Sequence, residues 1–373
     1  MPSVHVSARL AADTRGARND AVGALKQTVI RTGLETLYFS GAHALLRPWL
    51  GGAGMILTFH HVRPARPQAF QPNRLLEVTP EFFASVMSEV RRAGLDVVSL
   101  DEMHRRLTQG DLDRRFVCIT FDDGYRDTLE HAYPILKAHG MPFAQYIATS
   151  FPDRHGELWW IALEAVIARQ DSIVVVLNGE EVRLPGASLE DKNAAFDRIY
   201  TYLRERENFA DIIAFVRDLA ARHGVDPTSF CADLCMGWDE LAQLAADPLV
   251  TIGAHTVTHP ILKKIAAADA LNEIEASRAA IESRLGVRAD HFAYPVGDPT
   301  SAGMREFSLA ADAGFKTAVT TRPGVLFPAH ADHLMALPRV SVNGQYQQLR
   351  FLRVLMSGAA TALWNGFRKV NAA

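Results

Sequence analysis

Two adjacent carboxylates, Asp122 and Asp123, stand at the end of an apolar run in FVCITFDDG, residues 116–124. A second stretch, TIGAHTVTHP at residues 251–260, carries His255 and His259 four positions apart. A buried carboxylate is costly unless it is paired or binds a metal. Asp-Asp-Gly alone is also ordinary turn chemistry. The histidines shift that balance. Pro260 disfavours helical geometry for His259, and no His-Glu-x-x-His is present, so this is not the helix of a zinc protease. The pattern reads instead as a strand tip and a tight turn that aim both imidazoles into one pocket. Two neutral imidazoles and one carboxylate suit one catalytic divalent ion, zinc first, with cobalt or nickel as alternatives and positions left for water and substrate.

The elements that position these groups alternate. GMILTFHHV (54–62), LDVVSL, FVCITF, FAQYIAT, LVTIGAH, HFAYPV, TAVTT and LPRVSV read as strands. Helical stretches lie between them. Thr79-Pro80 caps the helix 79–94, Ser99…Glu102 opens the next, and Pro134 is expected to kink the one after. Continuous apolar strands alternating with helices predict an α/β fold with a parallel sheet under helices; an open sheet and a closed barrel both fit. His60, Asp122, His255 and Tyr294 gather at the C-terminal ends of strands, where α/β active sites form, and this favours a barrel. Residues 150–245 break the rhythm with a hairpin turning at Asn178-Gly179 and two charged helices, and read as an inserted α+β segment. Trp159 and Trp160 cannot share one helix face, which predicts one in the core and one as a platform.

The chain has 373 residues, 48% of them hydrophobic, and a net charge of −3. That composition supplies a large core and gives no sign of nucleic-acid binding. Cys118, Cys231 and Cys235 make no disulfide framework. Residues 1–20 read as a disordered N-terminus without a secretory h-region, 21–50 as a helical segment, and no run is long enough to span a membrane. These features predict a cytoplasmic protein, working at the inner membrane face or free of it. Residues 345–373 read as one amphipathic helix, a cap on the domain with peripheral membrane contact as the rival reading. The oligomeric state is not legible.

TFDDG followed by HTVTHP resembles the polysaccharide deacetylase family, whose catalytic part is the NodB homology domain (carbohydrate esterase family 4). FAYPVG at 292–297 is similar to its third motif, usually Phe-Arg-x-Pro-Tyr-Gly. The resemblance spans a catalytic domain over 51–344 with the insertion at 150–245 as its loosest part. It implies a distorted (β/α) barrel of about seven parallel strands, and an enzyme that removes acetyl groups from N-acetylated sugars in a polysaccharide or lipid-linked glycan. Matched to the motifs, Asp123, His255 and His259 would hold the metal and Asp122 would be the general base. The Val296 N–H would face the oxyanion. Adjacent strand-end positions would send the two acids opposite ways, with Gly124 letting the chain turn.

The chain departs from the family where Ala293 replaces the arginine that orients the base. Arg339 is our candidate replacement. The ILTFHHVRP segment (56–64) resembles that of a family branch acting on poly-N-acetylglucosamine, which implies His60 as general acid and sends His61 the other way. Tyr125, Tyr294, Trp159, Trp160 and Trp238 are candidates to stack on sugar rings. Two other readings remain: a metal phosphoesterase on a similar barrel, which would want more ligands than these three, and a non-catalytic carbohydrate-binding relative, which would be marked by loss of the base or a ligand.

Overall fold

The computed structural model describes residues 27–206 and 208–372. Its strands, in chain order, are β1 (Gly54–Phe59), β2 (His61–Val62), β3 (Glu77–Val78), β4 (Asp96–Val97), β5 (Phe116–Phe121) and β6 (Phe143–Ile147). They continue with β7 (Ser172–Leu177), β8 (Glu180–Pro185), β9 (Val250–Ala254), β10 (His291–Ala293), β11 (Thr317–Pro323) and β12 (Leu337–Ser341). Strands β1, β12, β11, β10, β9, β6 and β5 pair in that order, and β5 pairs back onto β1, so seven parallel strands close a barrel. The fold is therefore the distorted (β/α) barrel rather than the open sheet. The distortion is visible at β5. One edge pairs with β1 along six residues, while the other is shared between β4 at its start and β6 at its end.

Every residue of β1 and β5 is buried, because one phase points into the barrel and the other lies under helices. Met55, Leu57, Phe59, Val117, Ile119 and Phe121 pack with Phe83, Val86 and Met87 of the helix Pro80–Arg92. Ile56, Cys118, Tyr146, Val319 and Leu337 fill the interior, where Leu100, Met103 and Leu107 of the helix Leu100–Gln109 join them. Cys118 is thus core. Asp122 continues the inward phase of Cys118, and Arg339 continues that of Leu337.

Local chemistry explains several element ends. The Phe82 N–H donates to Thr79 Oγ1, and the Glu102 N–H donates to Ser99 Oγ. The expected kink at Pro134 is taken up by a π-helical turn over Thr128–Ala132, which precedes the helix Tyr133–His139. The strand expected over 54–62 breaks at His60, and His61–Val62 pairs instead with β3.

The chain divides into two compact units. One contains Leu37–Arg66, Arg74–Leu158 and Pro227–Ala373, and holds the barrel. The other contains Pro67–Asn73 and Trp159–Asp226 with the described residues up to Thr36. The inserted unit is therefore narrower than 150–245. Its hairpin β7–β8 turns at Asn178 and Gly179, both with positive φ, as a two-residue turn requires. Both Trp159 and Trp160 are buried there, since the helix Trp159–Ala168 is covered on nearly all sides. The proposed 1–20 disorder lies outside the described residues. Residues 27–39 and Ala42–Leu50 are helical.

The C-terminal region is two short helices, Leu349–Met356 and Ala359–Trp364, not one. Gly358 breaks them with φ 76°, in close contact with the Leu50 carbonyl, where no side chain would fit. Phe351, Leu352, Val354 and Met356 are buried, so the apolar side of the first helix is turned into the protein, and the helix packs on Pro80–Arg92. It is pinned by Arg353, whose Nε and Nη2 donate to Glu89 at 2.8 and 3.1 Å. Burial opposes ionisation of Glu89, but hydrogen bonds from Arg353 and Arg92 outweigh it and lower its pKa from 4.5 to about 2. A depressed carboxylate stabilises the fold above its unfolded pKa and loses that contribution as pH falls through the folded one. Glu89→Gln should cost roughly 1–3 kcal/mol near neutral pH. Denaturant titrations should show wild type and variant converging as the pH falls from 4.5 towards about 2.

Candidate metal and catalytic site

The site is assembled at the C-terminal ends of the barrel strands. Strand β5 ends at Phe121, and the Asp122 N–H still donates to Phe59 O across to β1. Asp123 then turns with φ 68°, followed by Gly124 with φ 70°. The two acids diverge because Asp123 itself leaves the extended conformation, not because strand alternation continues to it. Aspartate tolerates this left-handed geometry better than most residues. The loop is held from behind: Met236 N–H donates to Gly124 O, and Tyr125 bridges to Cys235.

Asp122 and Asp123 are only 2% and 3% exposed, and their partners differ. Arg339 donates from Nη1 to Asp122 Oδ1 at 2.7 Å and from Nη2 to Oδ2 at 2.6 Å. Its Nε donates to Thr320 O at 2.8 Å, which fixes the plane of the fork. Burial would raise the Asp122 carboxyl; the charge and hydrogen bonds of Arg339 prevail and hold it below its ordinary value. Breaking so buried a pair would leave an uncompensated charge.

Asp123 faces histidines instead. Its Oδ1 lies 3.4 Å from both His255 Nε2 and His259 Nε2, and Asp123, His255 and His259 are all buried. Burial would raise the Asp123 carboxyl, but the two imidazoles hold it well below its ordinary value. Asp123 Oδ1 is buried with no hydrogen-bond partner, while His255 Nδ1 donates to Ala293 O at 2.6 Å. A carbonyl can only accept, so Nδ1 carries a proton and the neutral form of His255 presents its Nε2 lone pair to the cluster. Three converging donors of this type fit a divalent cation such as zinc.

The turn 256–259 is built to place His259. Thr256 and His259 have φ of 68° and 58°, and the His259 N–H donates to Thr256 Oγ1. Glu273, on the helix Ala267–Leu285, accepts from the Val257 and Thr258 N–H groups at 2.8 and 2.9 Å and from Thr258 Oγ1 at 2.7 Å. Glu273 was not legible in the sequence, because it is one carboxylate among many on a helix.

His60 sits at the break after β1 with its side chain 22% exposed and Nε2 3.9 Å from Asp122 Oδ2. That is beyond a hydrogen bond. Burial lowers its pKa, against the pull of the Asp123 and Asp122 carboxylates. His61 turns away: its Nδ1 pairs with Asp127 Oδ2 at 2.6 Å and its ring stacks on Tyr125 at 3.5 Å. Val296 follows β10 with φ 63°, an outlier for a β-branched residue, in a turn closed by Gly297 N–H to Pro295 O. Among the described residues no acceptor engages the Val296 N–H.

The aromatic candidates are mostly not surfaces. Tyr125 and Tyr294 are fully buried; Tyr294 donates to Met335 O and packs on Phe292 and Phe307. Neither offers a ring face to a sugar. Trp159 stacks on Tyr200 inside the other unit, edge-on to Trp160. Trp238 alone is half-exposed, with Nε1 donating to Asp153 at 2.7 Å. Removing the Glu273 carboxylate should loosen the His259 turn. For Glu273→Gln, titration with zinc should show affinity reduced about 10- to 100-fold with the fold intact by circular dichroism.

The sequence profile of the family described as polysaccharide deacetylase matches residues 109–318, more than half of the chain. No curated protein matches it. Among solved structures, the deacetylase PplD of Streptococcus pyogenes, in complex with acetate, is similar at 17% identity and a TM-score of 0.54, covering 81% of this chain and 97% of its own. IcaB from Ammonifex degensii is similar at 18% identity and 0.50, covering 82% and 96%. A de-N-acetylase from Aggregatibacter actinomycetemcomitans is similar at 13% and 0.51, covering 81% and 99%. At such identities these likenesses are of fold.

Proposed function

The chain belongs to the polysaccharide deacetylase family, hydrolases acting on the acetyl amides of polysaccharides, and on that premise we propose that it is a metal-dependent deacetylase of N-acetylated amino sugars in a polysaccharide or a lipid-linked glycan. The observation that carries this reading is the division of labour between the two buried acids. Asp123 faces two imidazoles at 3.4 Å, while both oxygens of Asp122 are held by the Arg339 fork. Cation binding and proton transfer thus fall to different carboxylates a residue apart.

Asp123, His255 and His259 would hold the ion. When bound, a divalent cation supplies Lewis acidity that polarises the acetyl carbonyl and makes water more acidic. Asp122, kept ionised by Arg339, accepts the proton of the attacking water. The Val296 N–H is a fixed donor for the oxygen on which negative charge develops. His60, 3.9 Å from Asp122, would in its protonated form hand a proton to the departing amine. His60 and Arg339 lie outside the matched residues 109–318; the role of His60 rests on the resemblance of its segment and its place beside Asp122, and that of Arg339 on geometry alone. A two-metal phosphoesterase is less well supported: among the described residues Asp123, His255 and His259 form the one cluster able to hold a cation. A merely binding relative is less well supported too, since base and ligands all remain.

Asp122→Asn should retain about one divalent ion per chain, measured by elemental analysis, yet release less than about 1% of wild-type acetate from chitooligosaccharides or poly-N-acetylglucosamine fragments. His255→Ala should lose the ion. Acetate release unchanged in Asp122→Asn sinks the base assignment. Arg339→Lys keeps a positive charge but not the fork. Because Arg339 depresses Asp122, and the base works only when ionised, the acid limb of the pH–rate profile should move to higher pH in that variant.

A further inference from the structure

We propose that the foot of the barrel is a docking surface for an anionic lipid membrane. Four phenylalanine or tryptophan side chains stand exposed among the described residues: Phe39, Trp49, Trp364 and Phe367. Three of them, Trp49, Trp364 and Phe367, fall in two short segments, and Phe39 ends the helix just before the first. Trp49 and Leu45 project from the helix Ala42–Leu50 at 65% and 70% exposure. Leu363, Trp364 and Phe367 belong to the helix Ala359–Trp364 and the residues after it, with Phe367 63% exposed. The two helices pack on each other. Arg115 ties them to the barrel, donating from Nη2 to Gly51 O at 2.6 Å and to Met356 O at 3.0 Å. Exposed apolar groups concentrated in this way mark an interaction surface.

Charge selects the partner. Arg47, Arg368 and Lys369 are exposed in the same two segments. None of the chain's 42 acidic residues lies within 36–76 or 333–373. Aromatic and aliphatic side chains beside cations, with no acid inside either segment, suit the interface of a membrane rich in anionic headgroups. A second copy of the chain suits it less well, because a two-fold contact would oppose these two segments to their own cations, and neither segment contains a carboxylate to receive them. The apolar anchor is therefore not the Leu349–Met356 helix, whose apolar side is buried, but the surface beyond Gly358.

The position has a consequence for orientation. The helix Ala42–Leu50 leads into the start of β1, and Arg115 immediately precedes β5, so this surface lies at the N-terminal edge of the strands. The site lies at the other edge, about 20 Å away along a six-residue strand. Docking leaves the site facing away from the lipid.

Co-sedimentation of the full chain with vesicles tests this without relying on catalysis. Wild type should sediment with phosphatidylcholine vesicles containing phosphatidylglycerol, and not with phosphatidylcholine alone, and molar salt should release it. Trp49→Ser/Phe367→Ser should lower partitioning by about tenfold or more. Arg368→Ser and Lys369→Ser should each lower it about fivefold. Circular dichroism and acetate release from a soluble oligosaccharide should be unchanged in all of them. The proposal is overturned if wild type ignores anionic vesicles, if it binds neutral ones equally at any salt, or if the apolar double variant binds like wild type. It is equally overturned if light scattering finds a dimer that the same double variant dissociates while wild type leaves the vesicles untouched.

Discussion

Two carboxylates buried side by side at the end of one strand cannot both be left to repel each other in a low-dielectric interior. Each needs its own compensation, and the two compensations must not mix. Asp122 receives a guanidinium from β12; Asp123 receives two imidazoles from the end of β9. The closed ring makes this possible. Strand β12 reaches β5 only across β1, so Arg339 meets Asp122 because the barrel shuts. An open sheet with β1 and β5 unpaired would leave Asp122 without its cation. The parallel barrel is in this sense the condition under which an acid pair can be buried and given two different sets of partners.

The backbone carries a matching concentration of strain. Seven non-glycine described residues have positive φ, and Asp123, Thr256, His259 and Val296 are four of them, all at the site. Such conformations persist only where surrounding contacts over-determine them. Glu273 does this for the turn before His259, and the bridge from Cys235 and Met236 does it for the loop after Asp123. The chemistry sits on turns, but the turns are braced by a helix and by strand-like pairing.

The alternation of apolar strands and capped helices was legible in the sequence because both periodicities are local. So was the convergence of Asp122 and His255, since each ends an apolar run, with Asp123 and His259 following them in tight turns. Closure of the sheet was not legible from periodicity, because β1–β5 pairing is a long-range event that leaves no mark on either strand. The break at His60 was hidden for a related reason: its apolar neighbours read on as strand, and only Asp127, far along the chain, draws His61 and the Val62 N–H away. Four of the five aromatics expected to face a sugar, Tyr125, Tyr294, Trp159 and Trp160, are buried instead, because an aromatic near a motif is equally good core. Tyr125 and Tyr294 are core.

Ala293 stands where the family's arginine would be, yet its carbonyl fixes the proton on His255, and three residues later a backbone N–H points from Val296. Neither contribution belongs to a side chain. Scanning mutagenesis is blind to the first, for the residue is already alanine, and nearly blind to the second, for any replacement keeps an amide. Only changing the peptide link itself, by an ester in place of an amide, would expose what this segment supplies. Its residue types are correspondingly free to drift, and a comparison that weighs side chains alone will underrate it.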